Sequence, residues 1–276
     1  MKHLILGSSG QIGSALVEYL KAKNEKYYEF DILREPFEDL RVGSNIALLE
    51  KVQNCDIVHF LAYDAGGSSY MAKYQDTYEY IENNILIMQN TFNIIKQYKK
   101  PFIFASSQMS NMLNSTYGIL KAIGERYTKA LKGLYVKFWN VYGNEKEGEK
   151  THVITDFITM AKNMGSIYMR TNGEESRQFL YAEDAAECLY KLALKYDDIS
   201  RDSELHITNY KWSKIKDIAD IIGKEFKCNY FPSEEIDSVQ NDKRNEPSKD
   251  ILKYWKPQTS LKDGIKKIIE QMNDTK

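Results

Sequence analysis

What the chain has little of narrows its function first. Its 276 residues include three cysteines, Cys55, Cys188 and Cys228, which are far apart and odd in number. No Cys-x-x-Cys pair or His/Cys cluster accompanies them, which argues against a disulfide framework and a structural zinc site, and no metal is expected. No apolar run approaches the roughly 20 residues of a membrane span. Neither sign of charge dominates: 38 Lys and Arg stand against 39 Asp and Glu, a net charge of −1. That balance offers no electrostatic footprint for nucleic acid or a membrane surface. The sequence opens directly into Lys2-His3-Leu4-Ile5-Leu6, which reads as a first strand rather than a signal peptide, so a cytoplasmic location is the default. Internal repeats and low-complexity linkers are also missing, and arginine is scarce beside lysine, asparagine and tyrosine, as genome composition would explain.

What is present is an alternation of apolar strands and amphipathic helices. Leu4-Ile5-Leu6 runs into glycines, and Gln11 to Lys23 follows with helical spacing through Ile12, Leu16, Val17 and Leu20. Strands fit Lys26 to Phe30, Asp56 to Ala62 and Phe102 to Ala105; helices fit Glu79 to Tyr98 and Ser115 to Lys132. Continuous apolar strands between amphipathic helices imply a parallel sheet covered on both faces. The expected fold is therefore α/β, a doubly wound Rossmann sheet with a smaller C-terminal substrate lobe. The pattern changes after Val136 to Trp139, which divides the chain into a dinucleotide-binding domain over residues 1–140 and a second lobe over 141–276, with some chain crossing back. In the second part a helix fits Val153 to Met164, and shorter, less regular segments lead to Leu261 to Met272.

Two motifs carry chemistry. Gly7-Ser8-Ser9-Gly10-Gln11-Ile12-Gly13 joins a strand to a helix, which lets the backbone approach a pyrophosphate and aims the helix N-terminus at it. Asp31 ends the second strand, where a carboxylate accepts hydrogen bonds from the adenosine ribose and repels a 2′-phosphate, favouring NAD over NADP. Tyr117 and Lys121 stand at i and i+4, on one helix face, behind Ser107 at the end of a strand. An ammonium and the positive nicotinamide ring beside the phenol are expected to lower its pKa from about 10. The tyrosinate then removes a proton from a hydroxyl oriented by Ser107 while hydride leaves for the nicotinamide.

With these residues the chain resembles the extended short-chain dehydrogenase/reductases of the nucleotide-sugar epimerase/dehydratase group, nearly end to end. Asp39-Leu40-Arg41 is similar to the family's adenine-reading step, and Asp56 to Ala62 to its D-x-V-x-H-L-A strand, which brings Leu61 and Ala62 to the cofactor. Asn83-Asn84 matches an asparagine pair on the following helix. Phe138 to Gly143 is similar to R-x-x-N-V-Y-G, which implies Asn140 as a contact of the substrate diphosphate. Arg177 to Asp184 is similar to R-D-F-x-Y-V-x-D, whose arginine grips a phosphate, and Arg244 is a looser candidate for a late arginine. Trp255-Lys256-Pro257 with Thr259 to Ile265 is similar to the closing W-x-P-x-x-S-L-x-x-G-I. A guanidinium suits this task, since it clamps a diphosphate with two parallel hydrogen bonds.

The resemblance implies NAD as cofactor, a nucleotide-diphosphate sugar as substrate, and a homodimer built from the two long helices, with Tyr78, Met88 and Phe92 as seam residues unless they face the sheet. A role in surface polysaccharide synthesis is an inference from the family alone. Three departures narrow the reaction. Gln108-Met109 replaces the Asp-Glu pair of 4,6-dehydratases, so dehydration is not expected. The loop from Ser107 to Tyr117 is short, with Ser110-Asn111 where the family has V-Y-G, and Lys137 replaces an arginine. Gly66-Gly67 resembles the pair in GDP-sugar enzymes, a slight pointer to GDP, yet the cysteine those enzymes use is missing. The expected activity is NAD-dependent oxidation at a sugar ring carbon, C4 foremost, giving the epimer or the keto sugar. A reductase of a 4-keto nucleotide sugar using NADH or NADPH and a non-catalytic dinucleotide-binding protein are the alternatives.

Overall fold

Leu4, Ile5 and Leu6 are buried on both faces of the first strand, as a central strand of a covered parallel sheet requires. The computed structural model describes residues 1–112, 114–145, 148–237 and 245–274. In chain order its elements begin β1 (Lys2–Leu6), α1 (Gln11–Ala22), β2 (Lys26–Phe30), α2 (Ile46–Asn54), β3 (Ile57–Phe60), α3 (Ser68–Tyr74) and α4 (Tyr78–Tyr98). They continue with β4 (Phe102–Ser107), α5 (Thr116–Ala130), β5 (Leu134–Phe138), β6 (Asn140–Tyr142), α6 (Val153–Met164), β7 (Ser166–Tyr168), β8 (Ser176–Tyr181) and α7 (Ala182–Leu194). The last are β9 (Leu205–Ile207), β10 (Trp212–Lys214), α8 (Ile215–Phe226), β11 (Asn229–Phe231) and α9 (Leu261–Asp274).

Six parallel strands form the main sheet in the order β2-β1-β3-β4-β5-β9. The chain winds outward in one direction from β1 to β2 and in the other from β3 onward. The crevice for a ligand therefore opens between the C-terminal ends of β1 and β3. One face of the sheet is covered by α1 and α7, whose Leu16, Leu20, Ala185, Ala186 and Leu189 share a core with Ile5 and Ile103. On the other face Phe60, Phe92 and Phe104 pack ring against ring, with centroids 5.2 to 5.6 Å apart. A third core joins α6, α8 and α9 to β6 and β8.

The second half is more regular than its sequence suggests. α7 has an alanine-rich inner face (Ala182, Ala185, Ala186, Ala193) that packs on α1, so its periodicity is muted where large side chains would announce it. α7 and β9 also return to the main sheet after β6 and β8 have formed a separate three-stranded sheet with β10. Met88 and Phe92 are buried toward the sheet, whereas Tyr78 is exposed at the start of α4. No helix among the described residues is long and apolar enough to cross a membrane.

Candidate active site

The glycine turn is shaped by contact with the neighbouring strand. Gly7 has φ +86°, a left-handed conformation, and a Cβ there would stand 2.7 Å from Ala62 Cα. A Cβ on Gly13 would stand 2.0 Å from the Gly7 carbonyl oxygen, so α1 can start this close to β1 only with glycine. Leu61 N donates to Leu6 O (3.0 Å), which sets Leu61 and Ala62 beside the turn. Ser14 N is the first helical amide to reach an intrahelical acceptor, Gly10 O at 2.8 Å. The N-cap Gly10 supplies no side-chain cap, which leaves the amides of Gln11, Ile12 and Gly13 for an anion. The Gln11 side chain itself turns away, its carboxamide spanning Val141 O (3.0 Å) and Gly143 N (3.2 Å).

Asp31 closes the turn from β2. Its carboxylate accepts from Ser9 N and Leu33 N, both at 2.9 Å. Glu38, a buried residue that sequence reasoning missed, accepts from Asp31 N (2.9 Å) and pairs with Lys51, fixing the strand end. Asp39 is less available than expected: Arg41 Nε and backbone N each donate to Oδ1 at 2.9 Å, and this pairing holds its carboxyl below the ordinary range. Leu40 is buried in the core with Phe30 and Leu48. Asn83 and Asn84 organise the segment after β3, Asn84 Oδ1 accepting from Asp64 N (2.8 Å) and Asn83 Nδ2 donating to Asp64 Oδ2 (3.1 Å).

Ser107 ends β4, and its hydroxyl both accepts from Met109 N (3.2 Å) and hydrogen-bonds Tyr117. Ser115 caps α5 by accepting from Gly118 N (3.2 Å). A Cβ on Gly118 would stand 2.2 Å from Met109 O, so this glycine lets the helix carrying Tyr117 press against the turn after Ser107. Lys121 Nζ donates to Ala105 O (2.7 Å) and lies 5.7 Å from the Tyr117 ring centroid. Ser107, Tyr117 and Lys121 are thus brought together at the C-terminal end of β4. Tyr63, which sequence reasoning passed over, completes the cluster: its ring meets Tyr117 edge-on at 5.8 Å and lies 3.6 Å from Lys121 Nζ.

The electrostatics differ from expectation. Burial pushes the Tyr117 phenol up to about 12, against the Ser107 hydrogen bond, which favours the phenolate. Burial also draws Lys121 down to about 7, opposed by the charge of Glu125. The protein's own groups do not lower the tyrosine, because desolvation outweighs the Ser107 hydrogen bond. A positive nicotinamide ring, when bound beside the phenol, would act in the lowering direction.

The departures from the family pattern have structural partners. The Gln108 backbone O and side-chain Oε1 both accept from Asn245 Nδ2 at 3.0 Å, which ties the C-terminal segment to the residue after Ser107. Lys137 is buried, donating to Asn111 Oδ1 (2.9 Å) and pairing with Glu204. Gly66-Gly67 has a packing role. Gly67 N donates to Lys150 O (3.0 Å), and a Cβ on Gly67 would stand 2.0 Å from Thr151 O.

On the substrate side, Asn140 Nδ2 lies 3.4 Å from Gln178 O at the edge where β6 meets β8. Arg177 sits on β8, donating from Nη1 to Ser176 O (2.8 Å) and from Nη2 to Asp237 Oδ2 (2.5 Å). Its charge therefore already has a carboxylate partner. Arg244 lies outside the described residues. The two late motifs meet at Asp184, whose carboxylate accepts from Gln258 N (3.0 Å), Thr259 N (2.8 Å) and Thr259 Oγ1 (3.0 Å).

Comparison with known proteins places the fold among nucleotide-sugar enzymes. The chain is similar to a Methanocaldococcus jannaschii protein provisionally named UDP-glucose 4-epimerase, at 26% identity across 98% of both chains. It is 24% identical to the UDP-N-acetyl-alpha-D-glucosaminuronate decarboxylase of Bacillus cytotoxicus, over 97% of this chain and 96% of that one. The fold is that of the UDP-glucose 4-epimerase of Thermus thermophilus solved with NAD, with a TM-score of 0.79 at 18% identity over the whole of both chains. Residues 3–207 match the family described as the NAD dependent epimerase/dehydratase family. The protein is an enzyme of the extended short-chain dehydrogenase/reductase type that uses NAD, and it belongs to the NAD dependent epimerase/dehydratase family.

Proposed function

We propose that the enzyme is a 4-epimerase of a uridine-diphosphate sugar. The observation that carries this reading is the meeting of Ser107, Tyr117 and Lys121 at the end of β4, two strands from the glycine turn that follows β1. NAD, when bound, supplies the acceptor and donor of hydride. The amides of Gln11, Ile12 and Gly13 hold its pyrophosphate, and Asp31 holds the adenosine ribose. Ser107 orients the C4 hydroxyl, Tyr117 takes its proton, and the Lys121 ammonium favours the phenolate. Tyr117 returns the proton to O4 once the 4-keto sugar has rotated, and the hydride the cofactor would hold would go back to the other face of C4, so that the product is the epimer. Gln108, held by Asn245, leaves no acid or base for dehydration at the position next to Ser107. The uridine preference rests on the names of the two relatives.

Residues 141–276, apart from α7 and β9, which return to the main sheet, supply the substrate lobe in this reading, with Asn140 at its boundary and Arg177 on β8 clamping the diphosphate, joined by Arg244. A homodimer through α4 and α5 is supported by the exposed Tyr78, Ile85, Ile119, Ile123 and Tyr127, the last three one turn apart on α5. The test is proton NMR of the enzyme with NAD and a panel of UDP-, GDP-, dTDP- and CDP-hexoses, alongside Tyr117→Phe. A new epimer signal from a UDP sugar, lost in the variant, supports the reading. A keto sugar released in amounts matching NADH formed makes the enzyme a dehydrogenase instead, and no conversion of any sugar defeats both.

A further inference from the structure

Three side chains one turn apart on α5, Tyr117, Lys121 and Glu125, share a helix face. Each is held by a residue of β4. The Ser107 hydroxyl bonds Tyr117, Ala105 O accepts from Lys121 Nζ (2.7 Å), and Ser106 Oγ donates to Glu125 Oε1 (2.5 Å). Glu125 has no part in the mechanism above. Its other oxygen, Oε2, lies 3.8 Å from Lys137 Nζ, and the side chain is only 13% exposed. The carboxylate is thus fixed at both oxygens beneath the site, where a solvated helix residue would point to water.

Lys121 needs such a neighbour. It is 4% exposed, and the groups touching its Nζ are a neutral carbonyl and the Tyr63 ring. Burial disfavours its charged form, and Glu125 opposes that effect. The other titratable and charged groups around the stripe are Tyr63 after β3, Tyr80 on α4, Tyr135 and Lys137 on β5, Glu204 ahead of β9, and Arg126 beside Glu125. Burial keeps the three tyrosines neutral by pushing their hydroxyls up. Lys137 and Glu204 pair with each other.

We propose that Glu125 is a positioning residue for turnover, its fixed carboxylate holding Lys121 in the charged form beside Tyr117; this rests on the function proposed above for that pair. The test reads Lys121 directly. The Nζ resonance of 15N-lysine-labelled protein without cofactor, assigned by its loss in Lys121→Met, is titrated in the wild type, Glu125→Gln and Lys137→Met. Glu125→Gln keeps an acceptor for Ser106 and removes the charge, so the Lys121 midpoint falls by about one pH unit; Lys137→Met moves it upward. The alkaline limb of kcat/KM moves with the midpoint in both variants.

A midpoint within about 0.2 units of wild type in folded Glu125→Gln overturns the proposal. So does a midpoint that moves while the limb of the pH–activity profile stays in place. Should Glu125→Gln fail to fold by circular dichroism, Ser106→Ala decides: releasing the carboxylate from β4 lowers the midpoint by about half a unit, and an unmoved midpoint overturns the proposal. Lack of turnover on every sugar, with the midpoint shifts intact, counts against the 4-epimerase reading and not against the Glu125–Lys121 pair.

Discussion

Mild acid should destabilise this protein through one histidine pair. His3 on β1 and His59 on β3 are fully buried and stacked, with centroids 5.2 Å apart and Nδ1 of His3 2.9 Å from Nε2 of His59. One ring donates and the other accepts, and the outer nitrogens, His3 Nε2 and His59 Nδ1, have no partner among the described residues. Burial draws His3 down from 6.5 to about 4, against the weaker pull of Glu25, and holds His59 well below its ordinary value. A histidine whose folded pKa is depressed binds fewer protons folded than unfolded. Its contribution is complete above about pH 6.5 and is lost as pH falls toward 4. Between pH 7.5 and 5.5 this amounts to about 1.4 kcal/mol for His3 and a similar figure for His59, about 3 kcal/mol together. Asp39, Asp64, Glu145 and Glu204 also have depressed values, but their ordinary values of 3.8 to 4.5 place their losses below this window. Urea denaturation followed by tryptophan fluorescence at the two pH values measures the difference. The wild type should lose about 3 kcal/mol more than His3→Gln/His59→Gln, whose own loss comes from His206 and Lys121, both of which burial lowers. A double variant that keeps the wild-type loss would refute the reasoning.

Gly118→Ala must relieve the 2.2 Å approach to Met109 O by moving the start of α5. It should cost about 1–3 kcal/mol of stability and lower kcat by more than KM changes, read from thermal denaturation and steady-state kinetics. Asp31→Asn keeps a carboxamide oxygen for Ser9 N and removes the charge; NAD affinity should fall and NADP affinity rise, narrowing the preference about tenfold by titration calorimetry. Arg177→Gln should raise KM for the sugar nucleotide about 10- to 100-fold, the worth of a charge-assisted pair of hydrogen bonds. Asp237→Asn releases the same guanidinium and should lower that KM, and equal values for wild type and Asp237→Asn would show that the Arg177–Asp237 pair does not compete with substrate.

The sequence by itself determined the features that live in short stretches of backbone. The strand–glycine–helix order of residues 2 to 23 specifies where a pyrophosphate can approach, because only glycine tolerates φ +86° at Gly7 and the crowding at Gly13. The i, i+4 spacing of Tyr117 and Lys121 places both on one helix face whatever the rest of the chain does. Tertiary structure decided the rest. Glu38 behind Asp31, Tyr63 against Tyr117, Gly67 under Thr151 and Asp237 on Arg177 join segments whose separation along the chain has no periodic signature. The return of α7 and β9 to the main sheet was hidden for a related reason, since an alanine-rich face announces close packing less clearly than a stripe of large side chains. The protonation of the site was the least legible feature. Motif spacing puts an ammonium beside a phenol, but the burial that weakens Lys121 and raises Tyr117 comes from every element packed around them.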